Sequence, residues 1–324
     1  MQKYRKSSGH WTGAADAAII IGNCQAAKNR GHSRRMPPAS PQPHVEEEFS
    51  LPLFLFVVAV SLAGAIALVW LLAPHPVLHA QVGGPLWKLL AAFLGLSLFN
   101  CFMEYFFHRY VLHKPVVSFL SYFYKQHTHH HSLTRITRRR TPGGLDVNFV
   151  ENFYPITEKE QQEASFFPWY TFAIFAAILT PFFLLLQWLA PSFPWFVAGY
   201  GSLAASLMLY EIFHAIEHWS FEKWGPLIEH PSWGGFWRKI YSFHLRHHAV
   251  IDCNEAISGF FILPVADWVF GTCVIPGILY KHGETSEAKE FLSPHPVWFI
   301  RWLDHVTDGM VKQRRQRAQG TQAA

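Results

Sequence analysis

The sequence has little charge: only 15% of its 324 residues are Asp, Glu, Lys or Arg, while 50% are apolar. That balance is the one expected of a membrane protein. Cysteine is scarce as well. Cys24, Cys101, Cys253 and Cys273 form no CxxC and no paired spacing, which argues against a disulfide framework or a thiolate zinc site. The first 48 residues carry a single acidic side chain, Asp16, before Glu46 to Glu48. The net charge of +5 invites a nucleic-acid reading. No basic face interleaved with aromatics is present, so no nucleic acid is expected as a partner. No internal repeat is evident beyond a pairing of apolar segments.

Long apolar runs are abundant. Leu51 to Ala73 is an uncharged stretch of 23 residues, enough to cross a hydrocarbon core of about 30 Å. After a turn marked by Pro74, Pro76 and Gly83-Gly84, a second span fits Leu86 to Phe107. A third fits Phe166 to Ala190, with Pro181 as a kink, and a fourth fits Trp195 to Phe213 after Pro191 and Pro194. The expected fold is an all-α integral membrane protein of about four transmembrane helices in two hairpins, with a cytosolic helical cap. Ile257 to Tyr280 is also apolar, but Pro264, Asp267, Gly271 and Pro276 interrupt it, and it reads as cap or interfacial structure. The polar loop Thr141 to Ala164 is expected over the same face. Residues 1–48 read as a disordered basic segment, 49–310 as the membrane domain and 311–324 as a basic tail. A targeting role or an overextended start are both open for the first segment.

Orientation follows from the Lys and Arg residues. Seven precede the first span, eight lie between Arg109 and Lys159, eleven follow the fourth span, and Lys88 alone lies near the opposite face. The positive-inside rule then puts both termini and the central loop in the cytosol, at the endoplasmic reticulum of a eukaryote or the inner membrane of a bacterium.

The histidines are concentrated where spans two and four reach that face. HRYVLH contains His108 and His113, QHTHHH contains His127, His130 and His131, HAIEH contains His214 and His218, and FHLRHH contains His244, His247 and His248. In each HxxHH box the offsets i, i+3 and i+4 are expected to turn three rings to one helix face. His129 faces away and is left out. His108 and His113 are five apart, about 140° around an ideal helix, so the helix must end or distort between them. A lone HxxxH is usually a packing feature, but ten imidazoles in four clusters ask for metal, and for two ions at four or five ligands each. Imidazole suits iron, zinc, copper or nickel. Ligating imidazoles usually give their second nitrogen to a carboxylate or carbonyl. Glu104, four residues before His108, and Glu211, three before His214, are the expected acceptors, with Asp252, Asn254 and Glu217 as lesser candidates.

The ordered set HRYVLH, HTHHH, HAIEH and HLRHH, followed by DWVFGT at Asp267 to Thr272, resembles the fatty acid hydroxylase and sterol desaturase superfamily over roughly Asn100 to Thr272. The resemblance implies that the ten histidines hold two iron ions, zinc not being excluded, and that O2 is a co-substrate. It implies oxidation of an unactivated C–H bond of a lipid to an alcohol or, with loss of a second hydrogen, an alkene. The substrate would come from the bilayer and electrons from the cytosol. TPGG at Thr141 to Gly144 lacks the histidine of a cytochrome b5-like HPGG. The expected donor is therefore a separate protein, such as a cytochrome b5-like protein or a ferredoxin with its reductase. The competing reading is a metal transporter or metal-binding protein without redox chemistry. Transporters, however, usually place ionisable groups near the bilayer midplane rather than at helix ends.

Overall fold

The computed structural model describes residues 50–141, 143–144, 146–152, 165–279 and 281–323. The expected disordered segment 1–48 and most of the polar loop fall outside them. Among the described residues, four helices are long and apolar enough to cross a membrane: α1 (Leu51–Leu72), α3 (Leu86–Phe107, continued as a π-turn over His108–Leu112), α5 (Thr171–Leu189) and α6 (Trp195–Glu217). These are the four apolar segments of the sequence. A short helix, α2 (His75–Val82), joins the first two. Ser50 caps α1, and Pro52 falls in its first turn, where a missing N–H costs nothing.

The spans gather around α6, against which α3, α5 and α1 all pack. The reason lies in its small residues. Ala198, Gly199, Ser202 and Ala204 are buried along α6, and small side chains let helix backbones approach closely where water supplies no driving force. A Cβ on Gly199 would stand 2.7 Å from the Phe183 ring of α5. Phe54 and Val58 of α1, Leu96 of α3 and Phe172 of α5 complete this core. By contrast, α1 buries only Phe54 and Val58 and leaves Leu53, Phe56, Val60 and Leu68 exposed, as expected of a lipid-facing helix.

The remaining described helices collect beyond the ends of α3 and α6. They are α4 (Ser121–His131), α7 (Phe221–Ile228), α8 (Gly234–Ala249), the six-residue α9 (Val265–Phe270) and α10 (Trp298–Ala323). Ile257 to Tyr280 therefore does not form a fifth span, in line with its interruptions. The segment read as a basic tail continues α10 instead of leaving it at 311.

Among the described residues, one small sheet stands beside the helices where the sequence suggested only helix and loop. Strands β1 (Thr134–Arg140), β2 (Asp146–Asn152) and β3 (Thr285–Ser286) run antiparallel in that order, with Thr134 opposite Asn152 and Asn148 opposite Ser286. Thr134, Ile136, Val147 and Val150 supply the β-branched residues that suit a pleated, half-buried surface. Val150 packs into a cluster with Trp224, Tyr241 and Leu245. The sheet thereby braces α8, which carries the last histidine box.

Candidate metal centre

All ten predicted histidines come together, and they divide into two groups of five. His108, His113, His127, His131 and His247 form group 1; His130, His214, His218, His244 and His248 form group 2. Within each group the ligand atoms all lie within 4.8 Å of one another. Nearly all of these side chains are buried.

The division corrects the expectation that each HxxHH box serves as one triad. Around an ideal helix, i and i+4 are about 40° apart, whereas i+3 and i+4 are about 100° apart. A box therefore spans two directions. From α4, His127 and His131 join group 1 while His130 crosses to group 2; from α8, His244 and His248 join group 2 while His247 crosses to group 1. Each group is then two pairs plus one crossing ring. The other pairs come from the ends of spans two and four. His214 and His218 are one α-turn apart on α6. His108 and His113 are aligned by the π-turn, in which His113 N–H bonds to the His108 carbonyl at 3.1 Å. The five-residue spacing requires that distortion, and it brings the two rings into a stack 4.8 Å apart. The two groups adjoin: His131 of one and His248 of the other stack at 4.3 Å and 15°.

The donor geometry suits a metal. In group 1, Nε2 of His127 lies 2.8 Å from that of His108 and 3.0 Å from that of His131, and His113 and His247 are 3.1 Å apart. In group 2, His214 and His130 are 3.1 Å apart, as are His218 and His244, with His248 and His244 at 3.2 Å. Two nitrogens bonded to one ion at about 2.1 Å and at right angles are about 3.0 Å apart, while a tetrahedral angle separates them by about 3.4 Å. The spacing thus favours five- or six-coordinate sites. Several Nδ1 atoms have acceptors that fix the ring. His108 Nδ1 donates to the Glu255 carbonyl at 2.6 Å and His247 Nδ1 to the Cys253 carbonyl at 2.6 Å, which leaves Nε2 as a lone pair. His130 Nδ1 meets Ser165 Oγ at 2.7 Å.

Burial above all, and the neighbouring rings after it, hold His113, His127, His130, His131, His244, His247 and His248 well below the usual 6.5. They are neutral at physiological pH, the state in which imidazole binds a metal.

The outer partners differ from those expected. Glu104 takes three bonds from the loop after α8, from Ser258 N–H at 2.8 Å, Ser258 O–H at 2.6 Å and Gly259 N–H at 3.1 Å. It holds that loop rather than His108. Glu211 accepts the Phe167 N–H at 2.8 Å, fixing the approach to α5 instead of His214. In both cases an unpaired backbone N–H near the end of a span is the stronger claimant. Asn254, at φ 58°, bridges Phe243 and Val274, and Asp252 accepts from Ser293. Glu217 faces His244, its Oε2 4.0 Å from Nδ1.

Sequence reasoning missed Glu255 and its support. Arg109 donates to Glu255 Oε1 at 2.9 Å and grips Asp304 of α10 through two bonds, at 3.0 and 2.7 Å. Asp267, from DWVFGT, accepts the N–H groups of Glu255 and Ala256 and the hydroxyl of Thr272 at 2.6 Å. That motif therefore positions the carbonyl to which His108 is bonded. An Arg inside the first box and an acidic residue just past the last box, beside Asp252 and Asn254, were the available signals. Burial lifts the Glu255 carboxyl well above its ordinary 4.5, against the pull of Arg109. A cation held beside it would act in the same direction as Arg109.

An apolar cavity of about 420 Å³ lies between α3, α5 and α6. Phe107, Phe175, Leu179 and Leu207 line it, and His108 and Tyr210 stand at its histidine-bearing end. Asn100, bonded to Ser202 and Ser206 at 3.3 Å, is among its few polar walls.

No protein-family model, curated protein or solved structure matches this chain.

Proposed function

We propose that this chain is an O2-dependent membrane oxidoreductase that hydroxylates or desaturates a lipid C–H bond, with two irons held by the two histidine groups. The observation that carries the reading is the meeting of two adjoining five-histidine groups with an apolar cavity that runs between membrane-spanning helices to His108. A metal site alone fits many roles. A pair of nitrogen-rich sites at the end of a cavity suited to hydrocarbon fits few.

Bound iron would supply reduction of O2 and removal of hydrogen from an unactivated C–H bond, with two electrons from the lipid and two from a separate donor protein. The chain supplies the rest. Neutral imidazoles present their lone pairs without a proton to displace. The carbonyls of Glu255 and Cys253 fix two rings in the ligating tautomer. Phe107, Phe167 and Phe175 wall the cavity and exclude water from the reacting carbon. The distribution of Lys and Arg supports a cytosolic site, within reach of the electron donor.

The test is elemental analysis of detergent-purified protein grown in iron-57 medium, with Mössbauer spectroscopy and mass spectrometry of co-expressed lipids. Two irons per chain with a coupled signal, and an oxidised lipid that disappears in His247→Ala, are the expected results. Stoichiometric zinc and no iron uptake after anaerobic loading would overturn the redox reading in favour of metal transport or storage.

A further inference from the structure

Five neutral imidazoles supply no negative charge, so a divalent ion in either group is uncompensated unless a carboxylate reaches it. The two groups differ in how a carboxylate is offered. Glu217 approaches group 2 from outside: its Oε2 is 4.0 Å from His244 Nδ1, the nitrogen turned away from the ligand set. Glu255 approaches group 1 from inside. Its Oε2 is 4.0 Å from His108 Nδ1, as Glu217 is from His244 Nδ1, but it is also 3.7 Å from His113 Nε2, the same atom that meets His247 Nε2 at 3.1 Å.

Glu255 is fully buried, and its two oxygens are used unequally. Oε1 accepts from Arg109, while Oε2 accepts no hydrogen bond among the described residues. Nor does Arg109 neutralise it alone, because Asp304 takes two further Arg109 N–H groups. Lys114 pairs with Asp304 at 3.4 Å and Asp308 at 2.7 Å. Arg109 and Lys114 are thus shared among Glu255, Asp304 and the exposed Asp308, and the Glu255 oxygen that accepts no hydrogen bond is the one beside group 1. Asp267 fixes the backbone that carries it, through the N–H groups of Glu255 and Ala256 at 3.0 and 2.9 Å.

We infer that Glu255 is a sixth, anionic donor to the ion of group 1, through Oε2. The two sites are then unlike: five imidazoles and a carboxylate in one, five imidazoles in the other. The inference rests on the two-ion part of the proposed function and not on its lipid chemistry.

Cobalt(II) alone is a suitable probe, added to detergent-purified chain previously stripped of metal. Wild type is expected to bind two ions. In Glu255→Gln, which keeps an acceptor for Arg109 but removes the charge, one of the two should yield to a competing chelator at about 10- to 100-fold lower concentration. The visible absorption of that ion should strengthen as its coordination falls from six to five, while the other ion stays put and reports an intact fold. Asp304→Asn, which weakens the Arg109 clamp but leaves Glu255 in place, should keep both ions and lower only the melting temperature. If Glu255→Gln behaves like Asp304→Asn, with both ions retained and an unchanged spectrum, Glu255 is only a partner of Arg109 and the inference falls. Should Glu255→Gln fail to accumulate, Glu255→Asp, which keeps the charge but shortens the reach, decides by the same two outcomes. Wild type that binds no cobalt overturns the two-ion reading itself, and this inference with it.

Discussion

His108 and His113 stack with their ring centroids 4.8 Å apart and their planes 21° from parallel, although five residues separate them. An α-helix would turn them about 140° apart. The π-turn over His108–Leu112 removes that angle at the point where α3 ends. Inserting one alanine between Tyr110 and Val111 should carry His113 off the shared face. Metal per chain should fall from two to one, with group 2 as the internal control; two retained ions would show that the turn has no role in binding.

The crossed boxes make a second prediction. His247 and His244 lie one turn apart on α8 yet serve different groups. Alanine at either should remove one ion, not both, and should lower lipid oxidation by more than the about 10- to 100-fold expected from losing an outer partner. Elemental analysis of the two variants and of the double variant checks this. Loss of both ions from either single variant would mean that the groups are not separate sites.

Burial sets the pH response. With their pKa values held well below 6.5 in the folded chain, His244, His247 and His248 stay neutral where an unfolded chain would take up protons. The unfolded state then binds more protons below pH 6.5, so stability rises with pH through that window and is lost on acidification. Metal-free protein should show a falling thermal midpoint from pH 7 towards pH 5, and bound metal should move the fall to lower pH. A midpoint of the metal-free protein that does not change across this range would refute the burial argument.

The apolar cavity can be closed without touching a ligand. Ile178 lines it and is itself exposed on α5. Ile178→Trp should keep two metal ions and the visible or Mössbauer spectrum of wild type, while slowing lipid oxidation at least about tenfold, equivalent to about 1.4 kcal/mol. Undiminished turnover would mean that the lipid does not use this cavity.

Arg109 ties α10 to the site through Asp304. Breaking a fully buried ion pair costs about 3–5 kcal/mol. Asp304 is one-fifth exposed and Glu255 still pairs with Arg109, so Asp304→Asn should cost less, about 1–3 kcal/mol. A thermal denaturation series in detergent measures it, and no loss of stability would show that the clamp is idle.

Much of this protein is legible in the order of its residues. The four spans follow from run length and hydropathy, because a segment that must satisfy its own backbone in lipid declares itself by composition. The ten histidines declare themselves by spacing, and so does the distortion between His108 and His113. The sheet does not, since β1 is so rich in arginine that its strand pattern is faint. Nor do the acceptors of His108 and His247, which are backbone carbonyls and leave no mark in a residue's identity. Glu104 and Glu211 are reasonable partners by offset along one helix, but both bond to backbone brought from another segment. The sequence alone determined which ten histidines gather and on which helix ends they stand. Only the tertiary structure decided which ring joins which group, because helix rotation sends i+3 and i+4 in directions about 100° apart and the packing of α4 and α8 selects the destination of each.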